Sequence, residues 1–173
     1  MVRVRGKTHI AGGIALGFLA FNNIDILNVN LSDDKTFLLA TAGLTLGALL
    51  PDIDHPRSTI TNKVKPIGYT FSIVFKHRGF THSLLGSIIM TFLLSILFAA
   101  LNINKAAIPI LLKSIYIGII SHILLDMLTP TGVCILYPSN KRYSIGGFRI
   151  GGLGELILGF IFLGIAYYSV YYV

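Results

Sequence analysis

Residues 36–56 read TFLLATAGLTLGALLPDIDHP: an apolar run from Thr36 to Leu50, broken by Pro51 and followed at once by Asp52, Asp54 and His55. The run suits a helix surrounded by lipid rather than water. Its end carries two carboxylates and an imidazole, and ionisable groups at membrane depth are costly enough to mark a functional site by default. The aspartates flank Ile53, and Pro51 and Pro56 stiffen the backbone by fixing φ. In an extended turn both carboxylates therefore point the same way.

The same alternation of apolar run and polar break extends along the whole chain. Of its 173 residues 54% are hydrophobic and only 12% charged, against about a quarter charged in water-soluble domains. The mean hydropathy is +0.77. Several runs approach or reach the ~20 residues that cross a bilayer. The expected fold is all-α, a multi-pass transmembrane bundle of about five helices forming one integral-membrane domain over residues 1–173. The helices are expected from Thr8 to about Asn22, Thr36 to Leu50, Thr81 to about Leu101, Ala106 to Leu128, and from Leu153 or Glu155 to the end. Thr8 and Thr81 are the expected N-caps. Gly13 with Gly17, and Gly43 with Gly47, have the spacing that lets helices approach closely in lipid, although glycine is frequent in membrane helices in any case. Ile67 to Phe75 is an apolar, aromatic patch too short to span, expected at headgroup level. Arg3, Arg5 and Lys7 precede the first run as in a signal peptide. No clear small-residue cleavage site follows, so a retained first helix is expected. The single cysteine, Cys134, excludes an internal disulfide.

Charge orients the bundle. With the N-terminus inside, the cytoplasmic segments hold eleven basic residues (Arg3, Arg5, Lys7, Arg57, Lys63, Lys65, Lys76, Arg78, Lys141, Arg142 and Arg149), and the outer loops hold Lys35 and Lys105. The positive-inside rule then predicts a plasma or inner membrane protein with a cytoplasmic N-terminus. The net charge of +7 is accounted for by orientation and anionic lipid, so membrane lipids are the expected partners and no nucleic acid is inferred.

This topology gathers His9, Asp52, Asp54, His55, His77, His82, His122 and Asp126 at the inner face. Asp25, Asp33 and Asp34 fall in the outer loop. His122 and Asp126 are four apart on one helix face and can share an ion or a hydrogen bond. Mixed imidazole and carboxylate donors suit zinc, or manganese as the alternative, better than magnesium or calcium. The metal candidates are His9, Asp52, Asp54, His82, His122 and Asp126, enough for one or two ions. Asp52 and His77 are the candidates for general base. Arg57 and Arg78, with Lys141 and Arg142, are candidates to hold an anionic substrate. Each has a plainer reading: helix-end signals for the aspartates, an interhelical hydrogen bond for His122 with Asp126, orientation charges for the arginines, and a helix-start residue complementing the dipole for Glu155.

Three segments carry a resemblance: Gly47-Ala48-Leu49-Leu50-Pro51-Asp52-Ile53-Asp54-His55-Pro56, His77-Arg78-Gly79-Phe80-Thr81-His82-Ser83, and His122-Ile123-Leu124-Leu125-Asp126 with Thr129-Pro130-Thr131-Gly132-Val133. Together they resemble the YdjM/YbcI family of membrane-bound proteins described as metal-dependent hydrolases. That resemblance implies a multi-pass inner-membrane protein with a metal site at those His and Asp positions. A more distant likeness, to zinc-dependent phospholipase C, rests on the His122-x-x-x-Asp126 spacing. A second such pair is missing, because Gly86 stands four residues past His82. The expected function is a metal-dependent hydrolase at the cytoplasmic membrane surface, acting on a phosphoester or other ester of a lipid or lipid-linked anionic substrate. The alternatives are a metal-ion or proton transporter, and a non-catalytic scaffold with a structural metal.

Overall fold

The computed structural model describes residues 6–56, 58–65, 68–70, 78–147 and 153–171. Five long helices form where the apolar runs predict them: α1 (Gly6–Asn23), α2 (Asp34–Leu49), α4 (Leu84–Ala100), α5 (Ala107–Met127) and α6 (Leu153–Tyr171). A short α3 (Thr59–Lys63) lies in the loop between α2 and α4. Among the described residues no strand forms, only an isolated antiparallel bridge between Val133 and Tyr143.

The helix starts depart from the sequence reading in instructive ways. The chain is already helical at Gly6, and Thr8 is not a cap: its hydroxyl donates to Glu155 of α6. Asp33 caps α2, its carboxylate accepting from Thr36 N at 2.8 Å. Ser83 rather than Thr81 caps α4, accepting from Gly86 N, because Phe80–His82 form a 3-10 turn that carries Thr81 inward.

The end of α2 departs most. The chain does not become extended after Leu49 but tightens into a 3-10 turn, Leu50–Asp54. Helix and turn together run 21 residues, Asp34–Asp54, about 31 Å at helical rise, which matches the ~30 Å hydrocarbon core. Among the described residues three segments are long and apolar enough to cross a membrane by length and composition: this one, Ala107–Met127 and Gly154–Tyr171. Helix α4 is apolar but has 17 residues. Helix α1 reaches 18 residues but carries Lys7, His9, Asn22 and Asn23. The expected five spans are thus five helices, of which three meet the spanning criterion.

Helix α5 is the hub, packing on α1, α2 and α4, while α6 packs on α1. Small residues decide how close these helices come. A Cβ on Gly47 would lie 2.1 Å from the Ile115 carbonyl oxygen, and one on Gly118 would lie 2.6 Å from that of Leu44. Backbone therefore meets backbone where α2 crosses α5. Gly13 and Gly17 of α1 make room instead for the side chains of Ala48 and Leu44 of α2. Phe18, Phe21, Leu44 and Ile117 fill the middle of the bundle, and Met90, Ile115, Ile119, Ile123 and Val133 fill the α4–α5 side. Leu85, Ile88, Phe92 and Ile96 on α4, and Leu156, Phe160 and Leu163 on α6, stay exposed. Apolar faces of that extent suit lipid rather than water.

Candidate functional site: a buried histidine–aspartate cluster

The N-terminal ends of α1 and α4 and the C-terminal ends of α2 and α5 meet at one end of the bundle. There His9, Asp52, Asp54, Arg78, His82, His122 and Asp126 are all 5% exposed or less. Helix α6 runs parallel to α1, since Glu155 at its start meets Thr8 and Ser169 near its end accepts from Asn22.

His122 sits in the last turns of α5, where the close α2 crossing brings the Ala48 carbonyl to its Nδ1 at 2.6 Å. A carbonyl only accepts, so Nδ1 carries the proton and Nε2 keeps its lone pair. His82 is set by a relay. Its Nδ1 lies 3.0 Å from Thr81 Oγ1, and that hydroxyl donates to Asp54 Oδ2. Asp54 Oδ2 is itself 3.5 Å from His82 Nδ1. His82 Nδ1 is therefore the donor, and its Nε2 lone pair also points inward.

The two Nε2 atoms face each other across 3.2 Å. Asp126 Oδ2 completes a triangle, 3.4 Å from His82 Nε2 and 3.9 Å from His122 Nε2. Donors around a tetrahedral zinc, at about 2.0–2.1 Å from the metal, stand about 3.3–3.4 Å from one another. Two groups of described residues can each hold a metal ion, Asp52–His82–His122 and His9–His122–Asp126, with ligand atoms within 4.8 Å of one another.

Charge points the same way. Burial works against a charged His82, yet Asp54, Asp126 and Asp52 outweigh it and raise the imidazole pKa above its ordinary value. Among the described residues the cluster holds three buried carboxylates, Asp52, Asp54 and Asp126, and one buried guanidinium, Arg78. With neutral imidazoles that leaves two negative charges, which one divalent cation, or protons drawn to His82, would offset.

Arg78 is 2% exposed. Its Nη2 binds Asp126 Oδ1 at 2.8 Å, and its Nη1 reaches Thr129 Oγ1 at 3.0 Å and also Thr131 Oγ1. Its φ is 62°, a left-handed conformation that costs a side-chain-bearing residue roughly 1–2 kcal/mol. Two backbone bonds hold it there: Arg78 N donates to Asp54 Oδ2 at 3.2 Å, and Cys134 N donates to Arg78 O at 3.2 Å. The sequence marks Arg78 as a substrate anion contact; in the fold its guanidinium is engaged with Asp126.

The 3-10 turn separates the two aspartates. At three residues per turn, positions two apart diverge by about 240°. Asp52 joins His82 and His122 as a potential ligand, while Asp54 stands behind His82, bonded to Thr81 and Arg78 N. His9 reaches the cluster from α1, stacked on His122 with its Nε2 3.7 Å from Asp126 Oδ1. His55 is half-buried and Glu155 bonds Thr8; neither belongs to a metal-capable group. His77, Arg57 and most of the Ile67 to Phe75 patch lie outside the described residues. The sequence reading missed Thr81, Thr129 and Thr131 as partners of the cluster; Thr81 directly before His82, and Thr129 and Thr131 three and five positions past Asp126, in the segments quoted above, were the available signal.

The family described as YdjM inner membrane protein matches residues 4–173. The chain is 36% identical over 165 residues to the uncharacterized protein YvsG of Bacillus subtilis (strain 168), covering 94% of this chain and 92% of that one. It is 37% identical over 139 residues to the inner membrane protein YdjM of Escherichia coli (strain K12), covering 79% of this chain and 67% of that one, with the same figures for YdjM of Shigella flexneri. No solved structure matches, and the likeness to zinc-dependent phospholipase C still rests on the His122–Asp126 spacing alone. The YdjM names state a location, and none of these names states a reaction. With its apolar helices and a match running almost from end to end, the chain belongs to the YdjM family of inner membrane proteins.

Proposed function

We propose that this protein is a metal-dependent hydrolase at the cytoplasmic face of the membrane, with zinc as the first candidate metal and manganese as the second. Its substrate would be a phosphoester or other ester of a lipid or lipid-linked molecule. One observation carries the reading: two imidazole nitrogens, each with its other nitrogen committed as a donor, aim lone pairs at each other across 3.2 Å beside Asp126. Neutral rings repel in that arrangement unless a cation, a metal ion or a proton, lies between them.

Asp52, His82, His122 and Asp126 would hold the ion, and water would join them by expanding the coordination beyond four. A bound divalent cation supplies polarisation of a phosphoryl or carbonyl oxygen and activates water near neutral pH. Arg78 holds Asp126 by one oxygen and leaves the other facing the imidazoles. Asp54, through Thr81, keeps the His82 lone pair inward, the outer-shell arrangement that orients metal-binding histidines. His77, one residue before Arg78, would take the proton from water; Arg57 would meet the anionic group. A groove of about 330 Å³ between α1 and α6 starts at Lys7, Thr8 and Glu155 and continues along Ala11, Leu156, Phe160 and Leu163. Its polar start and apolar length suit a lipid. The positive-inside charge pattern supports a cytoplasmic N-terminus.

Ion transport is the rival. Transporters place their ligands near the bilayer midplane, whereas these ligands sit at helix ends. The deciding experiment incubates purified, zinc-loaded protein with phosphatidic acid and with a chromogenic phosphate ester in mixed micelles. Metal-dependent release of product, abolished in Asp52→Asn and His122→Ala, supports the reading. Absence of turnover with zinc and with manganese, together with zinc flux in proteoliposomes, would replace it with transport.

A further inference from the structure

We infer that this site takes one ion rather than two, held by His82 and His122 with Asp52 and Asp126, and that His9 stands outside the coordination sphere as the ring that positions His122. The inference rests on the metal reading above and specifies it.

Both metal-capable groups use His122. Its Nδ1 is bonded to the Ala48 carbonyl, so one lone pair remains, at Nε2. One imidazole lone pair binds one ion. The two groups therefore cannot be filled together.

Ring geometry chooses between them. A ligated ion lies in the plane of the imidazole, about 2.0–2.1 Å from the nitrogen. The His82 and His122 planes cross at 68°, and their Nε2 atoms are 3.2 Å apart. A single point between the nitrogens can therefore lie near both planes. His9 is stacked on His122, with planes 10° apart and ring centroids 3.7 Å apart. Planes that nearly parallel do not meet close to either ring. An ion in the plane of His122 stands about a ring thickness off the plane of His9, where no lone pair points.

The carboxylate agrees. Asp126 turns Oδ2 toward His82 and His122, but His9 Nε2 lies nearest Oδ1, the oxygen that Arg78 holds at 2.8 Å. His9 thus faces the guanidinium side of Asp126. What it gives the site is a flat surface 3.7 Å from His122 that, with the Ala48 carbonyl, limits rotation of that ring. This departs from the sequence expectation that His9 is a ligand.

The test loads the purified full-length protein with zinc and reads stoichiometry by elemental analysis and ligand type by zinc-edge X-ray absorption. One ion per chain with two imidazoles is expected. Two ions per chain, or three imidazoles, overturn this inference and leave the metal reading standing; a wild-type protein that binds no ion overturns both. His9→Phe keeps a ring without nitrogen. It should bind one zinc within about tenfold of wild-type affinity, with cobalt-substituted absorption bands unmoved, while His9→Ala binds more weakly. Equal loss in His9→Phe and His9→Ala, or shifted cobalt bands in His9→Phe, marks a ligand and overturns the inference. If His9→Phe does not fold, the imidazole count on wild type decides.

Discussion

His122 Nδ1 donates to the backbone carbonyl of Ala48 at 2.6 Å, so the orientation of a histidine on α5 is set by how closely α2 approaches. That approach depends on Gly47 and Gly118, at whose positions a Cβ would collide with backbone of the other helix. Gly47→Ala and Gly118→Ala should therefore force α2 and α5 apart, lengthen the Ala48 bond and weaken zinc binding about ten- to a hundredfold, as loss of an outer-shell partner does. Gly159→Ala on α6, where a Cβ meets nothing within 4 Å, should leave it unchanged. Competitive zinc titration of the three variants checks this.

Thr81→Val removes the hydroxyl linking His82 to Asp54 while nearly keeping its volume. With the relay gone, His82 can place its proton on either nitrogen, and metal affinity should fall about ten- to a hundredfold. Nitrogen chemical shifts of labelled His82 in metal-free protein should show a mixture of tautomers in place of one.

Arg78→Ala leaves the Asp126 carboxylate buried without its guanidinium partner, and breaking a buried pair from one side costs about 3–5 kcal/mol. Arg78→Lys should recover only part of this, because one ammonium cannot serve Asp126, Thr129 and Thr131 from a planar fork. Thermal unfolding in detergent should rank wild type above Arg78→Lys, and Arg78→Lys above Arg78→Ala.

Removing the metal should destabilise the protein. Among the described residues three buried aspartates would then face one arginine, with only protons to offset the remaining charge. Chelator-treated protein is expected to unfold at lower temperature, and added zinc should restore it. The gain should grow with free zinc by RT ln(1 + [Zn]/Kd). A melting temperature indifferent to chelator and to zinc would contradict a metal at this site.

Orientation is testable without activity. In a Cys134→Ser background, Lys141→Cys should react with a membrane-impermeant thiol reagent only from the cytoplasmic side, and Lys105→Cys only from outside. The reverse labelling would move the cluster to the other face and end the proposal of a cytoplasmic hydrolase.

Composition and apolar run length determined, from sequence alone, that this chain is a helical membrane protein. The same helix order placed His9, Asp52, Asp54, His82, His122 and Asp126 at one end, because consecutive spans must alternate in direction. Tertiary structure decided their individual positions. Asp52 and Asp54 look equivalent in sequence, and only the 3-10 turn after α2 sends one toward His122 and the other behind His82. Whether Arg78 faces lipid, substrate or protein depends on Asp126, Thr129 and Thr131, up to 53 positions away, and no local pattern encodes a partner that distant. The stacking of His9 on His122 was hidden for the same reason: a periodic pattern reports which face of a helix is buried, while the angle between two rings on different helices is set only when those helices pack.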